Sequence, residues 1–162
     1  MSNRRLRTAQ PADADAITRL INSAFQVESF FKRGDRLDLA EVQTRLAKGA
    51  FILAEQDEVM VGCVYVEPGA ERAYIGLLSV EPLLQGSGLG KRLMNAAEEY
   101  CRAAGCSFVD LRVVNLRTEL PPFYRKLGYE QTGTESFPAE AHTEVPCHFL
   151  IMSKAILPKI QP

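Results

Sequence analysis

The sequence predicts an α/β chain of the α+β type: a parallel βαβ unit in the second half, preceded by an antiparallel half-sheet. Three observations support this. A short apolar run, Tyr74 to Val80, leads into the glycine-rich turn Gln85-Gly86-Ser87-Gly88-Leu89-Gly90. Helical spacing follows the turn, and a second apolar, β-branched run occupies 107–114, so a right-handed crossover is the default. Earlier, FILAE (51–55) and VMVGCVYV (59–66) flank Gln56-Asp57-Glu58, the pattern of a hairpin.

Taken in order, residues 3–9 suit a short edge strand. Pro11 to Asp15 carries helix-start signals, and Ile17, Leu20, Ile21, Ala24 and Phe25 recur at three- and four-residue spacing, predicting a helix over 13–25. QVESFFKRGDRLD (26–38), with Gly34, Asp35 and scattered charge, is expected to be loop. Asp38 and Glu41 have capping-box spacing and open a second helix, with Leu39, Val42 and Leu46 inward and its end at Gly49. The hairpin then continues through Pro68-Gly69 into the strand at 74–80. After the glycine turn, Leu89, Leu93, Ala96, Ala97, Tyr100 and Ala104 are expected to face the core, with Lys91, Arg92, Glu98 and Glu99 outward and Gly105 as the stop. A strand after Tyr129, a loop rich in Pro, Glu and Thr, and a last strand at 148–156 complete the chain.

With 162 residues, 46% of them apolar, the chain is long enough to bury roughly 70% of its unfolded surface in one core. A single domain over 1–162 is expected. The net charge of −1 is spread without a basic stripe, so nucleic acid is not an expected partner. The apolar runs fall far short of about 20 residues, and MSNRRLRT has no apolar segment behind its charges, so a membrane span or export is not expected and the location expected is cytoplasmic. Cys63, Cys101, Cys106 and Cys147 lack C-x-x-C spacing; reduced core thiols are expected, and no metal site.

The chemistry of the glycine turn follows from its backbone. Glycines permit positive φ and close approach, so successive N–H groups and the positive end of the helix converge on an anion. The turn therefore offers a phosphate cradle. A Walker A loop fails here, because Gln85 stands where its first glycine belongs and Arg92 follows Gly90-Lys91. A dinucleotide fingerprint fits poorly, because the spacing is G-x-G-x-G and Asp110 lies within its strand. What remains is Q-x-x-G-x-G, filled by Gln85, Gly88 and Gly90 after a strand ending Leu78-Ser79-Val80.

This strand, loop and helix resemble the signature of the GNAT superfamily of acyl-coenzyme A dependent N-acyltransferases. Downstream, Asn115 and then PPFYRKLGYEQTG (121–133) are similar to the family's later motif, a short helix with a tyrosine followed by Leu-Gly-Tyr and a strand. The resemblance covers nearly the whole chain. It implies a mixed sheet of about seven strands, splayed at a cofactor slot, with about four helices. It implies acetyl-CoA as acyl donor, its pyrophosphate on the loop amides and its pantetheine along the preceding strand. The residues implied in that contact are Leu78, Ser79, Val80, Gln85, Gly86, Ser87, Gly88, Leu89, Gly90 and Lys91, with Asn115 and Tyr124. An acceptor is expected to approach from the side of the first two helices and the late loop.

Transfer from thioester to amine requires a neutral amine, a stabilised oxyanion and a proton for the leaving thiolate. Tyr124 matches the family tyrosine and, with a phenol pKa of about 10, suits the last task; the alternative is an aromatic that anchors a short helix. The oxyanion is expected to meet a backbone N–H near Leu78 to Val80. For the general base the family often has a carboxylate eleven or so residues ahead of Gln85, where this chain has Tyr74. Glu28, Glu67, Glu71, Glu81, His142 and His148 are the remaining candidates, each equally readable as a surface or structural group. Phe30 and Phe31 fit either the lining of an acceptor pocket, with Glu28 or Asp35 attracting an ammonium group, or core positions with those charges on the rim; Phe25, on the apolar stripe of the first helix, fits the core better than such a pocket. The acceptor expected is the primary amine of a small metabolite. Alternatives are a protein lysine or N-terminus, a non-catalytic acyl-CoA sensor, and nucleotide binding at the loop. A homodimer through the last strand accords with the resemblance, though no residue requires it.

Overall fold

The computed structural model describes residues 4–30, 36–137 and 145–157, without the side chains of 29 and 30. Phe31, Asp35 and His142 lie outside the described residues, as does the side chain of Phe30. The strands are β1 (Arg4–Thr8), β2 (Ala50–Gln56), β3 (Val59–Pro68), β4 (Arg72–Val80), β5 (Phe108–Val114), β6 (Glu130–Ser136) and β7 (His148–Ala155). They form one sheet in the order β1-β2-β3-β4-β5-β7-β6. Only β4 and β5 pair in parallel. The helices are α1 (Ala14–Ala24), α2 (Leu39–Lys48), α3 (Leu89–Ala103) and α4 (Leu120–Lys126). Short 3-10 turns cover Pro11–Asp13, Phe25–Phe30 and Pro82–Leu84. The expected loop at 26–38 thus begins helically, as a continuation of α1.

Local signals account for the element ends. At α2 the Glu41 amide donates to Asp38 Oδ1 at 2.8 Å and the Asp38 amide to Glu41 Oε1 at 3.3 Å, a reciprocal cap of the kind the S/T/D-x-x-E spacing gives. Strand alternation then divides the core in two. Ile52, Val64, Val66, Ile75 and Val109 meet α3 through Leu89, Leu93, Met94, Ala97 and Cys101. On the opposite face Phe51, Leu53, Cys63, Tyr65 and Leu77 meet Ile17, Leu20 and Ile21 of α1 and Val42 of α2. Cys63 and Cys101 lie wholly inside, and burial pushes each thiol up to about 12. At pH 8 only roughly one in 10⁴ of such thiols is thiolate, so Ellman's reagent should leave both untouched until the protein is unfolded. Fast labelling of either in native buffer would contradict the packing.

The buried stripe of α3 is rotated from the one its sequence suggests. Met94, Glu98 and Cys101 face inward, whereas Tyr100 is 39% exposed and Ala104 is exposed. Glu98, expected outside, is 2% exposed. The reason is a set of partners from distant segments: Lys154 Nζ donates to its Oε1 and the Tyr129 hydroxyl to its Oε2, each at 2.8 Å, and Arg102 lies 3.7 Å away. A carboxylate so engaged replaces the water it loses.

Candidate active site

The site originates where β4 and β5 part. They pair only at Arg72/Phe108, Ala73/Val109 and Tyr74/Asp110, after which β5 continues along β7 as far as Val114/Phe149. Among the described residues no strand therefore pairs with 75–80 of β4 on that side. The cause is a bulge. Tyr65 faces Gly76 while Cys63 faces Ser79, so β4 carries one more residue than β3, and Leu77 adopts a φ of 55°. A leucine in the left-handed region costs on the order of 1 kcal/mol, offset here by burial of its side chain in the α1/α2 core. The bulge also flips the alternation beyond it. Leu78 and Val80 turn toward the α3 face, and backbone donors along this stretch face the gap.

At the mouth of the gap lies the glycine turn. Gly86 and Gly88 have φ of 83° and 87°, conformations that favour glycine. Gly88 caps the fifteen-residue α3 without a side-chain bond, and the first internal bond is Arg92 N–H to Gly88 O at 3.1 Å. Among the described residues, the amides of Gly86, Gly88, Leu89, Gly90 and Lys91 have no protein acceptor. These donors and the helix's positive end open on a groove of about 430 Å³ lined by Leu78, Val80, Gln85, Gly90, Lys91 and Phe123. The donor set fits a pyrophosphate. A Cβ on Gly90 would stand 3.5 Å from Phe123 Cζ and 3.9 Å from Leu78 Cδ2, inside the groove but without a clash. Gly90→Ala should therefore hold or raise the melting temperature, by up to about 1 kcal/mol of helix propensity, while weakening coenzyme A binding several-fold in calorimetry. Unchanged affinity would place the ligand elsewhere.

The groove continues into a cavity of about 300 Å³, with which it shares Leu78, Val80, Gln85, Arg117 and Leu120. This cavity passes between β4 and β5 to the α1/α2 face, where Phe25, Glu28, Arg36, Arg45, Tyr74 and Arg112 surround it. Tyr124 of α4 stands within it. Its ring is held edge-on by Phe123 at 5.1 Å and Tyr129 at 6.0 Å. The ring is buried, yet the hydroxyl keeps access to the cavity and has no hydrogen-bond partner among the described residues. Burial, with a smaller push from Tyr74 and against Arg117, holds this phenol well above the ordinary range. It stays protonated at neutral pH and is a donor in waiting.

Tyr74, where the family often has a carboxylate, lies over Gly76, whose missing side chain makes room for its hydroxyl. Glu28 is buried and bonded to Arg117, Nη1 to Oε2 at 2.9 Å, so its charge is already engaged within the protein. Asn115 Oδ1 accepts from the His148 amide at 2.9 Å, which ties β5 to β7 outside both cavities. Ser79 points to the other face and donates to Leu77 O at 2.9 Å. Leu89 is in the core with its amide at the groove, and the Ser87 amide closes a turn on Leu84 O. Arg117, which lines both cavities, and Arg36, Arg45 and Arg112 were not foreseen. Arg117 shares the Asn115 connector, the one local hint; the others converge from separate elements. Among the described residues no group of three or more His, Cys, Asp and Glu is placed to hold a metal ion, and no helix is long and apolar enough to cross a membrane.

The model of the Acetyltransferase (GNAT) family matches residues 14–129, from the first turn of α1 to Tyr129. The chain belongs to that family. Among curated relatives of this GNAT protein, the IAA acetyltransferase of Azospirillum brasilense is 28% identical over 123 residues, 74% of this chain and 80% of that protein. The crystal structure of the ribosomal-protein-S18-alanine N-acetyltransferase from Escherichia coli superposes with a TM-score of 0.80 at 14% identity, covering 98% of this chain and 97% of that one. A putative acetyltransferase from Salmonella typhimurium, solved with its cofactor acetyl-CoA, gives 0.75 at 22% identity over 99% and 98%. The seven-stranded mixed sheet and four α-helices of the described residues match the fold of these GNAT structures.

Proposed function

We propose that this GNAT protein is a single-domain N-acetyltransferase that moves the acetyl group of acetyl-CoA directly to a primary amine of a small molecule. The observation that supports this best is the continuity of two cavities through the gap between β4 and β5, with free amides at the mouth of one and Tyr124 lining the other. Acetyl-CoA supplies a thioester whose C–S bond breaks as the C–N bond to the amine forms. The loop amides of Gly86, Gly88, Leu89, Gly90 and Lys91 hold the pyrophosphate, and Leu78 and Val80 flank the pantetheine. Backbone N–H groups at the Leu77 bulge donate to the carbonyl oxygen as it gains charge. Tyr124 gives its proton to the leaving sulfur and regains one from the proton the amine releases, so the protons balance. The confined acceptor side, about 300 Å³, suits a small molecule better than a folded protein segment. A cytoplasmic setting accords with the buried thiols of Cys63, Cys101 and Cys106.

Thermal melts with acetyl-CoA, coenzyme A and ATP in parallel test the donor site. A ligand at 100 times its Kd should add about 2.7 kcal/mol of stability, and only the coenzyme A species should do so. Thiol release from acetyl-CoA across a panel of primary amines then tests transfer. A melt shifted by ATP alone would overturn the reading.

A further inference from the structure

The acceptor side of the cavity is strongly cationic. Among the described residues four arginines line it, Arg36, Arg45, Arg112 and Arg117, against one carboxylate, Glu28, which Arg117 already neutralises at 2.9 Å. Arg112 is paired with Glu135 at 2.7 Å, but both side chains are about half exposed, and such a pair is weak. Arg36 and Arg45 have no carboxylate partner among the described residues. Of the acids of the adjoining cleft, Asp110 is paired with Arg72 and bonded to Ser153, Glu135 is loosely paired with Arg112, and Glu67 keeps its charge while accepting from the neutral Tyr65 hydroxyl at 2.6 Å.

These guanidinium groups are also held in place. Arg36 lies over Phe25 at 5.4 Å, Arg45 over Tyr65 at 5.2 Å and Arg112 over Tyr74 at 5.3 Å. A stacked guanidinium gives its face to the ring and keeps its N–H edge for a planar, two-oxygen acceptor. Uncompensated positive charge between low-dielectric walls also attracts anions and repels polycations.

We infer that the amine acceptor also carries a carboxylate, as an α-amino acid does, and that Arg36 and Arg45 hold this group while the amine reaches the gap beside Tyr124. This inference rests on the acetyl-transfer function proposed above and narrows its substrate class. Glu28, expected from sequence to draw in an ammonium, is not free for that task. An acceptor with several ammonium groups would meet repulsion instead.

The test is thiol release from acetyl-CoA with free amino acids, each paired with its C-terminal amide, and with spermidine as a polycation. The best acid should exceed its amide at least tenfold in kcat/KM, and spermidine should be the poorest. Arg36→Gln and Arg45→Gln, made singly and together, should bring the acid-to-amide ratio toward one, mainly through a higher KM for the acid. A readout without turnover uses the coenzyme A-saturated protein: N-acetyl amino acids should raise its melting temperature more than the matching N-acetyl amides. Amides or spermidine equal to or better than the acids, in turnover or in the melt, would overturn the inference while leaving acetyl transfer intact. So would a ratio that survives both substitutions. If no coenzyme A species shifts the melt, the acetyl-transfer function itself fails, and this inference with it.

Discussion

Tyr124→Phe should lower kcat about 10²-fold or more while leaving the affinity for coenzyme A unchanged. General-acid catalysis by a positioned side chain is worth roughly 10² to 10⁴ in rate, and the substitution removes only the proton that the thiolate would take. The ring contacts with Phe123 and Tyr129 survive, so the fold should not respond. Steady-state thiol release and calorimetry with coenzyme A separate the two effects. The pH dependence has a definite sign. Because burial raises this phenol, the acid remains protonated through the range in which a free tyrosine ionises near about 10, and the alkaline loss attributable to it should lie above that value. Turnover that is unchanged in the variant would return Tyr124 to the role of a packing aromatic.

Glu98→Ala should cost about 3 kcal/mol of stability, the largest structural effect expected from a single polar side chain here. Removing one member of a buried, hydrogen-bonded charge cluster leaves the others uncompensated, and measured costs run from about 3 to 5 kcal/mol. The lower end applies because Lys154, at 23% side-chain exposure, regains some water. The Tyr129 hydroxyl would lose its acceptor, and α3 its polar tie to β7. At about 2 to 4 °C per kcal/mol for a chain of this size, the melting temperature should fall by about 6 to 12 °C. Lys154→Met checks the same cluster from the other side and should cost less, since Glu98 keeps Tyr129 and Arg102. A drop below about 2 °C for Glu98→Ala would mean that the cluster contributes little.

Much of this architecture is written in local pattern. The helix cap at Asp38 and Glu41, the hairpin at 56–58 and the strand, glycine turn and helix from 74 to 103 follow from spacing and from glycine's access to positive φ, which act over a few residues. The order of elements and the glycine turn with its positive φ angles were legible for that reason. The bulge at Leu77 was not, because a leucine gives no signal of a left-handed φ; its cost is met by core contacts that the strand acquires only on packing. Nor was the inward turn of Glu98, whose partners Tyr129 and Lys154 lie 31 and 56 residues away. Asn115, expected to contact the cofactor, instead joins β5 to β7 through its side-chain oxygen and lines neither cavity. The sequence by itself determined the glycine turn, a contiguous loop whose backbone amides are left without protein acceptors. Only the tertiary structure decided the cavity beyond it, because Arg36, Arg45, Arg112 and Arg117 come from four separate segments, and the charge they share exists only where the sheet opens and brings them together.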